Sequence, residues 1–132
     1  MRCRAGIRKR TVKKCLIVDD SVVVRKLARM MVEGFGFDCA EAADGTVALD
    51  LCRAEIPALI LLDWNMPMMS GMEFMQALRA LPGGEAVKIV FCTTENSMPA
   101  MKAALDAGAD EYIMKPFDAD ILQSKFRQVG LM

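Results

Sequence analysis

The chain has 132 residues, with 17 Lys+Arg against 17 Asp+Glu, so its formal net charge is zero. That length fits one ordinary domain, and 54% hydrophobic residues suffice for a real core. It contains no His, which excludes Ser-His-Asp and Cys-His catalysis, His-ligated zinc and a phosphohistidine.

The zero hides an asymmetry. Residues 1–14 carry seven basic side chains (Arg2, Arg4, Arg8, Lys9, Arg10, Lys13, Lys14) and no acid, which leaves residues 15–132 at −7. Residues 1–12 lack hydrophobic periodicity and read as a flexible basic tail ahead of one domain at 13–132. The tail reads first as an overlong start or cloning remnant, and second as a contact for nucleic acid or an acidic partner. A secretory signal needs an apolar stretch of roughly 7 to 15 residues. Here Cys15-Leu16-Ile17-Val18 is stopped at once by Asp19-Asp20. No segment approaches the roughly 18 apolar residues of a membrane span, so the expectation is a cytoplasmic protein with no membrane partner. Cys3, Cys15, Cys39, Cys52 and Cys92 form no CxxC pair and read as reduced thiols, with Cys15, Cys39 and Cys92 buried.

Lys14 to Val18 is a short apolar run that predicts a buried strand. Ser21 caps a helix from about Val22 to Glu33, whose apolar positions Val23, Leu27, Met30 and Met31 recur at helical spacing, and Gly34 and Gly36 end it. Phe37 to Ala42 predicts a second strand, Asp44-Gly45 a turn, and Thr46 to Ala54 a helix with Val47, Leu51 and Ala54 on one face. Ala58 to Leu62 predicts a third strand. A helix from about Met72 to Ala80 follows, closed by Leu81-Pro82-Gly83-Gly84. Val87 to Cys92 is the fourth strand. Ser97 caps the next helix, with Pro99 in its first turn, where a missing N–H costs little. Glu111 to Met114 is the fifth strand and Asp118 to Val129 the last helix.

Strands alternating with helices predict an α/β protein, a parallel sheet covered on both faces. In such sheets the functional site lies beyond the carboxyl ends of the strands. Those ends carry Asp19-Asp20, Asp63, Thr93-Thr94-Glu95 and Lys115-Pro116. Each alone reads as an ordinary cap or turn residue. Together they bring three carboxylates, a hydroxyl and an ammonium to one crevice. Clustered carboxylates repel unless a cation intervenes, and Mg²⁺ takes oxygen ligands and keeps several waters. Mg²⁺, Lys115 and Thr93 would stabilise the oxygens of a phosphoryl group in transfer. Asp63, at the end of the central strand, is the best-placed nucleophile for an aspartyl phosphate.

At this point the sequence resembles the receiver domains of two-component response regulators, and among them the CheY-like stand-alone receivers of chemotaxis. The resemblance runs from about Lys13 to Val129. It rests on Val18-Asp19-Asp20-Ser21, Leu62-Asp63-Trp64-Asn65-Met66-Pro67, Ser70-Gly71, Cys92-Thr93-Thr94-Glu95, Ala107-Gly108-Ala109 and Lys115-Pro116-Phe117. It implies a flavodoxin-like three-layer fold, five βα units with strand order 2-1-3-4-5, and a cis peptide at Lys115-Pro116. It implies that Asp63 accepts a phosphoryl group from a sensor histidine kinase or a histidine phosphotransfer protein. Asp20, Asp63 and the Asn65 carbonyl would hold Mg²⁺, with Asp19 behind them, and Thr93 and Lys115 would grip the phosphoryl oxygens. Thr93 and Tyr112 would form a switch that remodels the face of the fourth helix, fifth strand and fifth helix. Asn65 and Glu95 would flank the phosphoryl group and, as in chemotaxis receivers, favour fast self-dephosphorylation.

On this reading the protein is no enzyme beyond its own phosphorylation and dephosphorylation. No residues remain for a DNA-binding domain, so output passes to a downstream target protein through Ser97, Met98, Met101, Lys102, Tyr112 and Lys125. Ser97-Met98 stands where such receivers often carry a basic pair, which argues against motor binding. A monomer is expected, with a phosphorylation-dependent dimer left open. Met68 and Met69 are candidates for partner contact, while Met72 and Met75 read as core. A phosphorelay intermediate is the alternative within this class. An aspartate-nucleophile phosphohydrolase of the haloacid dehalogenase type is the alternative of another class. It would need a second Asp where Asn65 stands, and a cap domain. A nucleotide-binding module would need a Gly-rich loop where Asp19-Asp20-Ser21 stands.

Overall fold

The computed structural model describes residues 12–64, 66, 69–94 and 98–132. Five strands alternate with five helices among them: β1 (Lys14–Val18), α1 (Val22–Gly34), β2 (Asp38–Ala42), α2 (Gly45–Ala54), β3 (Leu59–Asp63), α3 (Gly71–Arg79), β4 (Lys88–Thr93), α4 (Met98–Asp106), β5 (Glu111–Met114) and α5 (Ala119–Gln128). The strands form one parallel sheet in the order β2-β1-β3-β4-β5, as the family resemblance implied. β3 lies at the centre and is buried throughout.

Alternation along each strand feeds two cores. Cys15, Ile17, Leu59, Leu61, Val90 and Cys92 point to the side covered by α1 and α5. Leu16, Val18, Ile60, Leu62, Ile89 and Phe91 point to the side covered by α2, α3 and α4. Burial on both faces is why the central strands read as unbroken apolar runs rather than alternating ones.

Side-chain caps set where the helices begin. Ser21 accepts from the Val24 amide, Asp44 from Val47 and Asp118 from Ile121. Ser70 and Glu73 form a reciprocal capping box at the start of α3. The Ser97 cap lies outside the described residues.

The helix faces need correction. In α1, Val23, Leu27 and Met30 are exposed, while Ala28 and Val32 are buried and Met31 packs partly against the core. In α2, Val47 and Leu51 are exposed, and Ala48, Leu49 and Cys52 face the sheet. Both helices are apolar on more than one face, so hydrophobicity alone leaves their rotation open.

Cys15, Cys39, Cys52 and Cys92 are buried free thiols. Burial pushes the Cys92 thiol up to about 12, which leaves it unreactive at neutral pH. No helix among the described residues is long and apolar enough to cross a membrane.

Candidate functional site

After β1 the chain crosses to β2 on one side, and after β3 it crosses to β4 on the other, so a crevice opens at the carboxyl ends of β1 and β3. Asp19 and Asp20 follow β1 and Asp63 ends β3. One carboxylate oxygen from each of these three residues lies within 4.8 Å of the others. Asp19 and Asp63 are buried, at 3% and 6% exposure, and Asp20 is exposed. This is an all-oxygen donor set with one side open to water. It suits a hard cation such as Mg²⁺ and offers no soft ligand.

Lys115, just past β5, closes the crevice from the opposite side. Its ammonium donates to Asp19 Oδ2 at 2.7 Å and stands 3.5 Å from Asp63 Oδ1. Its backbone amide donates to the Thr93 carbonyl at 2.8 Å, which fixes the loop against β4. Burial disfavours the Lys115 charge, but the Asp19 hydrogen bond and the Asp63 charge outweigh it and raise its pKa above the ordinary 10.5. The Lys115–Pro116 peptide is cis. Thr93 is buried at the end of β4, beside the same crevice. The fold thus gathers Asp19, Asp20, Asp63, Thr93 and Lys115, which are 96 residues apart at the extremes.

Asn65 and Glu95 lie outside the described residues, as do Ser97 and Met68. Tyr112 is half-buried on β5, 5.9 Å from Phe91 between ring centroids. Lys125 reaches over its outer face at 4.8 Å and pairs with Glu111 at 3.5 Å. Met98 and Lys102 are exposed on α4, and Lys102 bridges to Asp106. Met101 is the exception to the expected partner face. It is 7% exposed and belongs to the core under α4, because it lies on the sheet side of the helix with Ala104. Met75 is core, and Met69 and Met72 pack against it.

Three features were not read from sequence. Arg25 on α1 donates to the Asp19 carbonyl at 2.6 Å and, through Nε, to Glu41 on β2 at 3.1 Å. An acid in a short, largely apolar strand was the available signal for Glu41. Trp64, directly after Asp63, packs on Phe91 with ring centroids 5.1 Å apart. An apolar groove of about 280 Å³ runs from Thr94 and Lys115 along Val24, Leu27, Met31 and Phe117.

The family of response regulator receiver domains matches residues 15–127. The chain is 33% identical over 117 residues to the chemotaxis protein CheY of Pseudomonas aeruginosa, covering 88% of this chain and 94% of that protein. The solved structure of the chemotaxis response regulator CheY4 of Vibrio cholerae superposes with a TM-score of 0.85 at 32% identity, over 90% of this chain and 99% of that one. The receiver domain of a sensor histidine kinase from Pseudomonas aeruginosa, solved with a magnesium ion in its active-site cleft, gives a TM-score of 0.81 at 26% identity, over 91% of this chain and 99% of that one. The chain therefore belongs to the response regulator receiver family and is CheY-like within it.

Proposed function

We propose that the protein is a phosphorylation switch whose Asp63 accepts a phosphoryl group, with Mg²⁺ as cofactor. One observation carries this reading. Asp63 ends the central strand inside a ring formed by Asp19, Asp20 and the Lys115 ammonium.

An Asp63 carboxylate oxygen attacks the phosphorus of a phosphohistidine on a sensor kinase or histidine phosphotransfer protein. A P–O bond forms, the P–N bond breaks, and the imidazole leaves. Asp20 and Asp63, with Asp19 behind them and the Asn65 carbonyl proposed as a further ligand, would hold Mg²⁺, which would neutralise charge on the phosphoryl oxygens. Lys115 is already ordered by Asp19, so it neutralises charge without reorganising. Thr93 offers its hydroxyl from the neighbouring strand. The apolar groove beside Lys115 gives a donor protein a surface to rest on while its phosphohistidine reaches Asp63.

The phosphoryl group biases an existing equilibrium in which the Thr93 hydroxyl moves toward it and Tyr112 turns inward. The output face comprises Met98, Lys102, Tyr112 and Lys125. Its occupant is a downstream protein, in chemotaxis-like signalling in the cytoplasm. Asn65 and Glu95 set a short lifetime by admitting water to the phosphoryl group. A phosphorelay intermediate is the second reading of the same chemistry.

Incubation with acetyl phosphate and Mg²⁺, followed by intact mass measurement, tests the core claim. A single phosphoryl adduct on the wild type, absent from Asp63→Asn, is expected. No adduct on either protein overturns the proposal. A phosphoryl half-life of hours in Mg²⁺ alone overturns the fast-decay part.

A further inference from the structure

The Asp19 main chain is tied on both sides. Its amide donates to the Ala42 carbonyl on β2 at 3.1 Å. Its carbonyl accepts from Arg25 Nη1 at 2.6 Å. Its carboxylate accepts from the Ser21 amide at 2.9 Å and from Lys115. The Asp19 carbonyl belongs to the peptide that leads into Asp20, so whatever holds that carbonyl fixes the peptide plane from which the Asp20 side chain extends.

Arg25 is held in turn. Its Nε donates to Glu41 Oε1, and both side chains are nearly buried, at 13% and 11% exposure. The other Glu41 oxygen accepts from Lys26 and Arg29, each at 2.9 Å. Burial of Glu41 opposes its charge, but hydrogen bonds from Lys26, Arg29 and Arg25 outweigh this and hold its pKa near 2. Glu41 is therefore a permanent anion at neutral pH.

We infer that Arg25, oriented by Glu41, is a positioning residue that fixes the Asp19–Asp20 peptide so that the acidic cluster binds a divalent cation. Arg25 itself would touch neither the cation nor a phosphoryl group. It acts through the Asp19 backbone, and Glu41 acts through Arg25. The inference rests on reading the acidic cluster as the Mg²⁺ site.

Charge alone predicts the opposite sign. Arg25 is a cation near a cation site, so deleting it should tighten Mg²⁺ binding by relieving repulsion. Positioning predicts weaker binding, as is usual when groups that orient metal ligands are removed.

The test is Mg²⁺ titration of the full chain, read by the fluorescence of Trp64, which follows Asp63 directly and is the single tryptophan. Arg25→Ala is expected to weaken apparent affinity about tenfold. Arg29→Ala removes a cation that also pairs with Glu41 but does not touch Asp19, and is expected to stay within about twofold of wild type. Glu41→Ala weakens binding in the wild-type background and adds nothing to Arg25→Ala. Should Arg25→Ala fail to fold, Arg25→Lys decides, because one ammonium cannot serve both acceptors in the guanidinium geometry. A loss of at least about threefold supports the inference.

Unchanged or tighter binding in the folded Arg25 variant overturns the inference while leaving the cation site intact. Equal weakening by Arg29→Ala overturns it too. A wild-type protein with no response to Mg²⁺ overturns the cation-site reading, and the inference with it.

Discussion

Lys115 and Asp19 meet at 2.7 Å although they lie 96 residues apart, and the same ammonium stands 3.5 Å from Asp63. One cation thus serves carboxylates from two neighbouring strands. Lys115→Met is expected to destabilise the protein by about 3 kcal/mol in EDTA, because it removes the cation that two buried carboxylates face. Urea denaturation with and without Mg²⁺ checks this. Added Mg²⁺ should restore more stability to the variant than to wild type, since it competes with no ammonium there. If Lys115 faces the phosphoryl oxygens as proposed, phosphorylation by acetyl phosphate should nonetheless fall at least about tenfold. The pH sign follows from the raised Lys115 pKa. Its contribution is complete below 10.5 and is lost as pH rises through the higher folded-state value. The stability gap between wild type and variant should therefore be constant at neutral pH and shrink above 10.5.

Glu41 gives a second pH dependence, of opposite sign. Its pKa falls from 4.5 to about 2, so its contribution is present above 4.5 and is lost as pH drops toward 2. The shift corresponds to about 3 kcal/mol at most, in a side chain only 11% exposed. Glu41→Gln should thus lose less stability than wild type between pH 5 and pH 2.5 (about these limits, set by the two pKa values). Parallel acid titrations of the two proteins in urea would disprove the Glu41 assignment.

The strands and the residues at their ends were legible because each strand is short, apolar and stopped by a polar residue, whereas the strand order came from the family resemblance. Asp63 and Thr93 fall at the ends of β3 and β4, one residue inside the strands rather than just beyond them. Helix rotation was not legible. In α1, Arg25, Lys26, Arg29 and Glu33 mark one charged face but leave a broad apolar arc, and only the sheet decides that Ala28 and Val32, rather than Val23 and Leu27, turn inward. Met101 was misplaced for the same reason. Arg25 and Glu41 were invisible because their partnership joins a helix to a strand across 16 residues, with no local pattern to mark it.

Arg79 at the end of α3 performs a purely architectural task. Its guanidinium donates to the carbonyls of Gly84 and Val87, through Nη1 at 2.9 and 2.6 Å, and of Gly108, through Nη2 at 2.6 Å. It thereby joins the turn before β4 to the loop between α4 and β5. Arg79→Met should cost about 2 to 4 kcal/mol, since part-buried carbonyls lose a charged donor. Arg79→Lys should recover little, because an ammonium cannot span acceptors on two loops. Urea midpoints near wild type for Arg79→Lys would contradict this.

Gly71 begins α3 directly against Trp64. A Cβ at this position would lie 2.6 Å from Trp64 Cε3 and 3.3 Å from the Trp64 Cα, so the indole has to move. The Gly71 amide also donates to the Trp64 carbonyl at 3.3 Å, which limits how far the two backbones can part. Gly71→Ala should therefore cost about 1 to 3 kcal/mol and shift the indole against Phe91. Trp64 fluorescence in the folded variant reads that shift directly. Because Trp64 follows Asp63, the same variant should slow phosphorylation by acetyl phosphate, even though Gly71 supplies no polar group to the site. A Gly71→Ala protein with wild-type emission, stability and phosphorylation rate would show that the indole yields without disturbing Asp63.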